Sequence, residues 1–157
     1  MIAQPRHLYL FTLEIVPLEV GKVYGELPLH CTLMHRFWSV LSSAEMSGAV
    51  RALFDATPPL PLVAYKHALL GPKQMAVSLL KPTKEMEALN MALYQLLNNL
   101  GVEYTAPQWV GKGHVFHVTE REDARLEVGG KHMGMAAYLI EVENKQRLVR
   151  AKFGFNG

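Results

Sequence analysis

Residues 7–15 are mostly apolar and β-favouring, which predicts a buried strand. Pro17, Gly21 and Gly25 break the pattern, so residues 16–28 are expected to be a connection. A second strand is predicted from about Leu29 to Trp38. Ser42 and Glu45 then stand at capping-box spacing, followed by Met46, Ala49, Val50, Leu53 and Phe54 at helical intervals. Pro58, Pro59 and Pro61 close that helix. Two strands, about 62–69 and 74–80, flank a Gly71-Pro72 turn. A longer helix is predicted from Thr83. Its apolar face is Met86, Leu89, Leu93, Leu96, Leu97 and Leu100, and Gly101 is its C-terminal cap. Residues 102–112 read as irregular and 113–119 as a strand. Gly129-Gly130 and Gly134 mark a loop or bulge, and the chain ends in a hairpin, about 136–143 and 146–154, around Asn144-Lys145.

The order β-β-α-β-β-α-β-β-β predicts an α+β fold, a single domain over residues 1–157 with two similar lobes. Antiparallel sheets are expected to line a central cleft, with the helices packed outside. A pattern that recurs lies in the two parts of the chain. His30-Cys31-Thr32-Leu33 falls on the second predicted strand and His117-Val118-Thr119 on the strand near residue 117. Side chains alternate faces along a strand, so each His and Thr share a face. Cys31 and Leu33 point the other way, as do Phe116 and Val118, and suit the core.

Composition narrows the function classes. Of 157 residues, 50% are hydrophobic and 19% charged, ordinary for a globular protein able to bury a core. The single cysteine, Cys31, excludes an internal disulfide and fits a reducing, cytoplasmic setting. No apolar run approaches the ~18 residues of a membrane span, and no signal-peptide pattern is visible, so no membrane partner is expected. The formal net charge of +2 is compatible with a phosphate-bearing ligand. Glycine patterns of dinucleotide or P-loop sites are missing, since Gly111-Lys112-Gly113 is too short for the latter.

The paired motif carries the chemistry. One neutral imidazole can take a proton while a protonated one gives it. Two threonine hydroxyls can donate to phosphoryl oxygens as charge builds on them. The candidate catalytic residues are therefore His30, Thr32, His117 and Thr119. Arg36, Lys73, Lys112 and Arg121 are candidate phosphate contacts. Lys112, close before the second motif, and Arg36, assigned to the Met34 face, are preferred. Tyr24, Trp38, Tyr104 and Trp109 flank the motifs; each either packs the core or stacks on a base, and Tyr24 and Trp109 are taken as substrate-binding candidates. Strand parity turns His35 away from His30 and His114 away from His117, so no metal site and no cofactor are expected. His7, His67 and His132 fit no pattern and read as structural or surface residues.

Leu29-His30-Cys31-Thr32-Leu33 and His117-Val118-Thr119 together resemble the two-histidine phosphoesterase superfamily, the LigT-like proteins known as RNA 2′,5′-ligases or cyclic phosphodiesterases. The first copy fits the family pattern of histidine, any residue, threonine or serine, then an apolar residue. The second departs at Glu120, where the strand is expected to end early. The resemblance implies a bilobal fold and hydrolysis of a 2′,3′-cyclic or 2′,5′-linked phosphodiester on a nucleotide or RNA end, with ligation as the reverse reaction. The implied partner is a nucleotide or RNA terminus, bound by a monomer. Two other readings remain open: a module that binds an RNA end with little turnover, and a nuclease against cyclic oligonucleotide signals.

Overall fold

Tyr9, Phe11 and Leu13 alternate along the first strand with no exposed surface, and the sheet is assembled around this apolar comb. The computed structural model describes residues 4–122 and 124–157. Its elements run β1 His7–Glu14, β2 Val23–Tyr24, β3 His30–Ser39, α1 Ser43–Asp55, β4 Leu60–Leu70, β5 Met75–Leu80 and α2 Lys84–Asn99. Then come β6 Glu103–Tyr104, two 3-10 turns at Pro107–Trp109 and Gly111–Gly113, β7 His117–Thr119, β8 Lys131–Gly134, β9 Ala136–Glu143 and β10 Gln146–Gly154.

The strands join in the order β2-β10-β9-β1-β3-β7-β5-β4-β8, with β6 also paired to β3. The antiparallel sheets expected to line a cleft are thus two halves of one sheet, joined where β3 meets β7. The C-terminal hairpin crosses back, so that β9 lies beside β1 and the first lobe combines both ends of the chain. Asn144 and Lys145 both adopt left-handed φ (51° and 63°), the geometry of a tight type I′ hairpin.

Both helices cover one face of the sheet. α1 packs on β9 and β10, and α2 on β3 and α1. The capping box at Ser42 is complete: the Glu45 N–H donates to Ser42 Oγ, and the Ser42 N–H donates to Glu45 Oε1. Met46, Val50 and Phe54 from α1 and Met86, Leu89, Leu93 and Leu97 from α2 share one core with Phe11, Phe37 and Phe153. A smaller core lies on the other face of the first lobe. There Leu18 and Leu27, from the connection before β3, cover Leu10, Tyr138, Ile140 and Val149. None of the helices, among the described residues, is long and apolar enough to cross a membrane.

Three departures from the sequence expectations matter for the site. First, β3 is bulged. Its register against β1 slips between Tyr9 and Phe11 and again between Phe11 and Thr12. Leu33 and Met34 are therefore both buried, and His35 and Arg36 both face outward. Inside this stretch the buried Asn90 amide donates to the Leu33 carbonyl (2.9 Å). Second, the strand expected from residue 113 begins only at His117. A Cβ on Gly113 would lie 1.9 Å from the Gln108 carbonyl oxygen, so the chain closes a tight 3-10 turn there. Third, the stretch after Gly129-Gly130, read as loop or bulge, contains β8, which pairs with β4 from Leu60 to Val63 and places Pro61 within a strand. The strand carrying the second motif does end at Thr119, before Glu120.

Asn90→Ala leaves a buried carbonyl in the bulge without its donor and is expected to cost about 1–3 kcal/mol of stability, read from the urea midpoint at constant m-value. A change within error would show that the bulge does not depend on this bond.

Candidate functional site

The junction of β3 and β7 builds the site. Cys31 lies opposite Val118, and both are fully buried on the helix-covered side. In an antiparallel ladder the flanking pairs then follow: His30 opposite Thr119, and Thr32 opposite His117. These four side chains point to the other face and line one cleft of about 660 Å³. Directly opposed residues have Cβ atoms roughly 4.5–5.5 Å apart. The two motifs thus face each other head to tail, and each imidazole has the other motif's hydroxyl as neighbour.

A second matching feature fixes the rings. His30 Nδ1 lies 2.8 Å from the Pro28 carbonyl oxygen, and His117 Nδ1 lies 2.8 Å from that of Val115. A carbonyl only accepts, so each Nδ1 is the N–H donor. Each neutral ring then carries its lone pair on Nε2. Both bonds reach back two residues, so the strand itself orients its histidine.

The electrostatics are cationic. Arg36, Arg121 and Arg147 line the same cleft. Arg121 Nε donates to the Leu27 carbonyl (2.8 Å) and sits 3.2 Å from Glu26. Arg147 donates to the carbonyls of Gly25 and Lys145. Burial lowers the His30 pKa to about 4, and Arg121, His117 and Arg147 add to that shift; the Pro28 bond only partly offsets it. His30 is therefore neutral at physiological pH. Burial and the neighbouring Arg147 also lower the Arg36 pKa.

Beside the four motif residues opens a smaller, mainly apolar cavity of about 260 Å³. Pro72, Met75 and Val77 from the β4–β5 hairpin wall it on one side, and Trp109 and Val115 on the other. His35 and His114 form its polar edge. Burial, then the neighbouring His117, lowers both pKa values, His114 to about 4. The parity that turned these two rings away from the motifs is corrected by the structure: the β3 bulge turns His35 back, and His114 precedes β7 altogether. Among the described residues, no three His, Cys, Asp or Glu side chains converge in a metal-binding arrangement.

Not every sequence candidate reaches the cleft. His30, Thr32, His117, Thr119 and Arg36 line it, and Trp109 lines the adjoining cavity. Lys112 does not; it lies in a separate groove against α2 with Glu87 and Met91, because the 3-10 turn redirects the chain before β7. Tyr24 does not either. Its ring packs on the smaller core beneath Lys22, and its hydroxyl accepts from the Glu19 N–H. The cleft residues the sequence reading did not favour are His35, Arg121 and Arg147. Arg147 comes from the far end of the chain, and no local pattern announces it.

No protein-family model matches the chain, and neither does any curated protein sequence. Solved structures do. E. coli LigT complexed with 3′-AMP superposes with a TM-score of 0.64 at 13% identity, covering 98% of this chain and 100% of that one. E. coli LigT complexed with NADP+ gives 0.62 at 14% identity, covering 99% and 100%. The crystal structure of a phosphoesterase gives 0.62 at 11% identity, covering 98% and 100%. The chain has the LigT fold. At these identities the likeness is one of fold, and it spans both lobes. The α+β LigT-like architecture expected from the two motifs is the one observed.

Protonation of His30 and His114 is disfavoured in the folded state, whereas the unfolded chain binds those protons below about pH 6.5. Stability is therefore fully present above pH 6.5 and falls as pH drops toward 4. Imidazole NMR titration is expected to give a His30 midpoint near 4. A midpoint at or above 6.5 would contradict the burial account.

Proposed function

We propose that this protein is a phosphodiesterase that opens 2′,3′-cyclic or 2′,5′-linked phosphodiesters of nucleotides or RNA ends by two-histidine acid–base chemistry, without a metal. The observation that carries this reading is the Cys31–Val118 pairing, whose neighbours His30, Thr32, His117 and Thr119 line one cleft. It is supported by the matching Nδ1–carbonyl bonds, which turn both histidines into Nε2 reagents. That LigT structures hold 3′-AMP and NADP+ makes a nucleotide the natural class of ligand for this fold.

The low pKa of His30 favours one division of roles. His30, held neutral, takes a proton from water through Nε2 as the water oxygen attacks phosphorus. The bond from phosphorus to one ribose oxygen breaks, and His117 gives its Nε2 proton to that oxygen. The new P–O bond replaces the old one, and the two rings exchange their protonation states. Thr32 and Thr119 donate to the non-bridging oxygens, where negative charge grows. Arg36, Arg121 and Arg147 supply a positive field around the anion. The apolar cavity bounded by Trp109 and Met75 receives the nucleoside attached to the phosphate. Run in reverse, the same steps join a ribose hydroxyl to a phosphate.

His30→Ala and His117→Ala are each expected to lower kcat on a 2′,3′-cyclic nucleotide by about 10²–10⁴-fold with the fold retained. The roles separate on an ester with a 4-nitrophenolate leaving group, which needs no proton. There His117→Ala keeps most of the wild-type rate and His30→Ala does not. Full activity of either variant on the cyclic nucleotide, or loss of wild-type activity on adding EDTA, sinks the reading.

Thr32→Val and Thr119→Val remove one donor each, and a loss of about 10²-fold in kcat with little change in KM is expected. Equal loss in KM alone would make the threonines binding groups rather than stabilisers of developing charge.

A further inference from the structure

We propose that the nucleic-acid strand attached to the scissile phosphodiester leaves the cleft along a basic groove on the first lobe, passing Arg36 and Arg147 and ending at Trp38. The proposal rests on reading the cleft as a phosphodiester site, and it makes an RNA oligonucleotide, rather than a mononucleotide, the preferred substrate.

The cleft does not stop at the motif residues. A second cavity, of about 930 Å³, opens on the outer face of β1, β3, β9 and β10. It shares Gly25, Arg36 and Arg147 with the cleft, so the two are continuous. Arg36 and Trp38 are two apart on β3, with buried Phe37 between them pointing to the core. From Thr32 to Trp38 the strand covers roughly 20 Å at ~3.3 Å per residue, less the bulge. A mononucleotide anchored between the histidines does not reach that far; a short strand does.

The charges along this path are poised for an anionic chain. Arg6, Arg36, Lys145, Arg147 and Arg150 line the groove, against Glu141 and Glu143. Glu141 is already engaged by His7 (2.9 Å) and Arg150 (2.7 Å). Arg147 is held by two neutral carbonyls, those of Gly25 and Lys145, so its charge is fixed in place without being cancelled. Arg36 and Lys145 make no ion pair among the described residues. At the far end Arg6 lies over the Trp38 ring, 5.0 Å from its centroid, and pairs with Glu103 at 2.8 Å. Spaced guanidinium groups followed by an indole match alternating phosphates and unstacked bases. An acidic peptide would use the cations and leave the indole idle.

The test is binding, measured apart from turnover. Fluorescence anisotropy follows a labelled RNA hexanucleotide bearing a 3′-phosphate, with 3′-AMP, unlabelled RNA and polyglutamate as competitors. The wild-type protein is expected to bind the hexanucleotide at least about tenfold more tightly than 3′-AMP, since a stacked base adds affinity that a mononucleotide in the cleft lacks. Trp38→Ala and Lys145→Glu each shrink that gap, and Lys145→Glu also flattens the salt dependence of RNA binding. Thermal melts check that both variants fold. Equal affinity for the hexanucleotide and 3′-AMP, a gap that survives both substitutions, or displacement by polyglutamate as effective as by RNA overturns the proposal. Turnover of a cyclic mononucleotide, assayed in parallel, reports separately on the phosphodiesterase reading: its absence strikes that reading while the binding gap judges the groove.

Discussion

One backbone pairing organises the molecule: β3 against β7 at Cys31 and Val118. It closes two half-sheets into one and seals the core with two fully buried apolar side chains. Because successive strand residues alternate faces, the same register that buries this pair must display its four neighbours on the open side. A slip of one residue would send the histidines and threonines into the core and bring cysteine and valine to the cleft. Core packing and site geometry are therefore held by the same register.

The strand also supplies orientation. Each imidazole is tied by Nδ1 to a carbonyl two residues earlier, before any distant side chain is involved. Arginines supply the field: Arg36 from the bulge in β3, Arg121 just after β7 and, from far along the chain, Arg147 of the final hairpin. Cationic neighbours and burial act in the same direction on His30, each disfavouring its protonated form. Positive charge therefore gathers around a neutral His30.

Much of this was legible in the sequence because it is local. The capping box at Ser42, the helical stripe from Met86, the Asn144-Lys145 hairpin and the two His-x-Thr strands each depend on residues within a few positions of one another. What was not legible depends on contacts far apart in sequence. The β3 bulge arises from its register with β1 and turns His35 to the cleft. The close approach of Gly113 to Gln108 shortens β7 and carries Lys112 away from the site. Tyr24, an aromatic near the first motif, turns out to cover an apolar patch that belongs jointly to β1, β9 and β10. Arg147 enters only because the C-terminal hairpin folds back beside β1.

The proposed reaction places one phosphorus atom between two Nε2 atoms. A crystal structure with vanadate and a nucleoside in the cleft tests it directly. A five-coordinate vanadate is expected, with one apical oxygen toward His30 Nε2, the other toward His117 Nε2, and equatorial oxygens accepting from Thr32 and Thr119. Vanadate bound at the Lys112 groove, or touching only one of the two histidines, would contradict it.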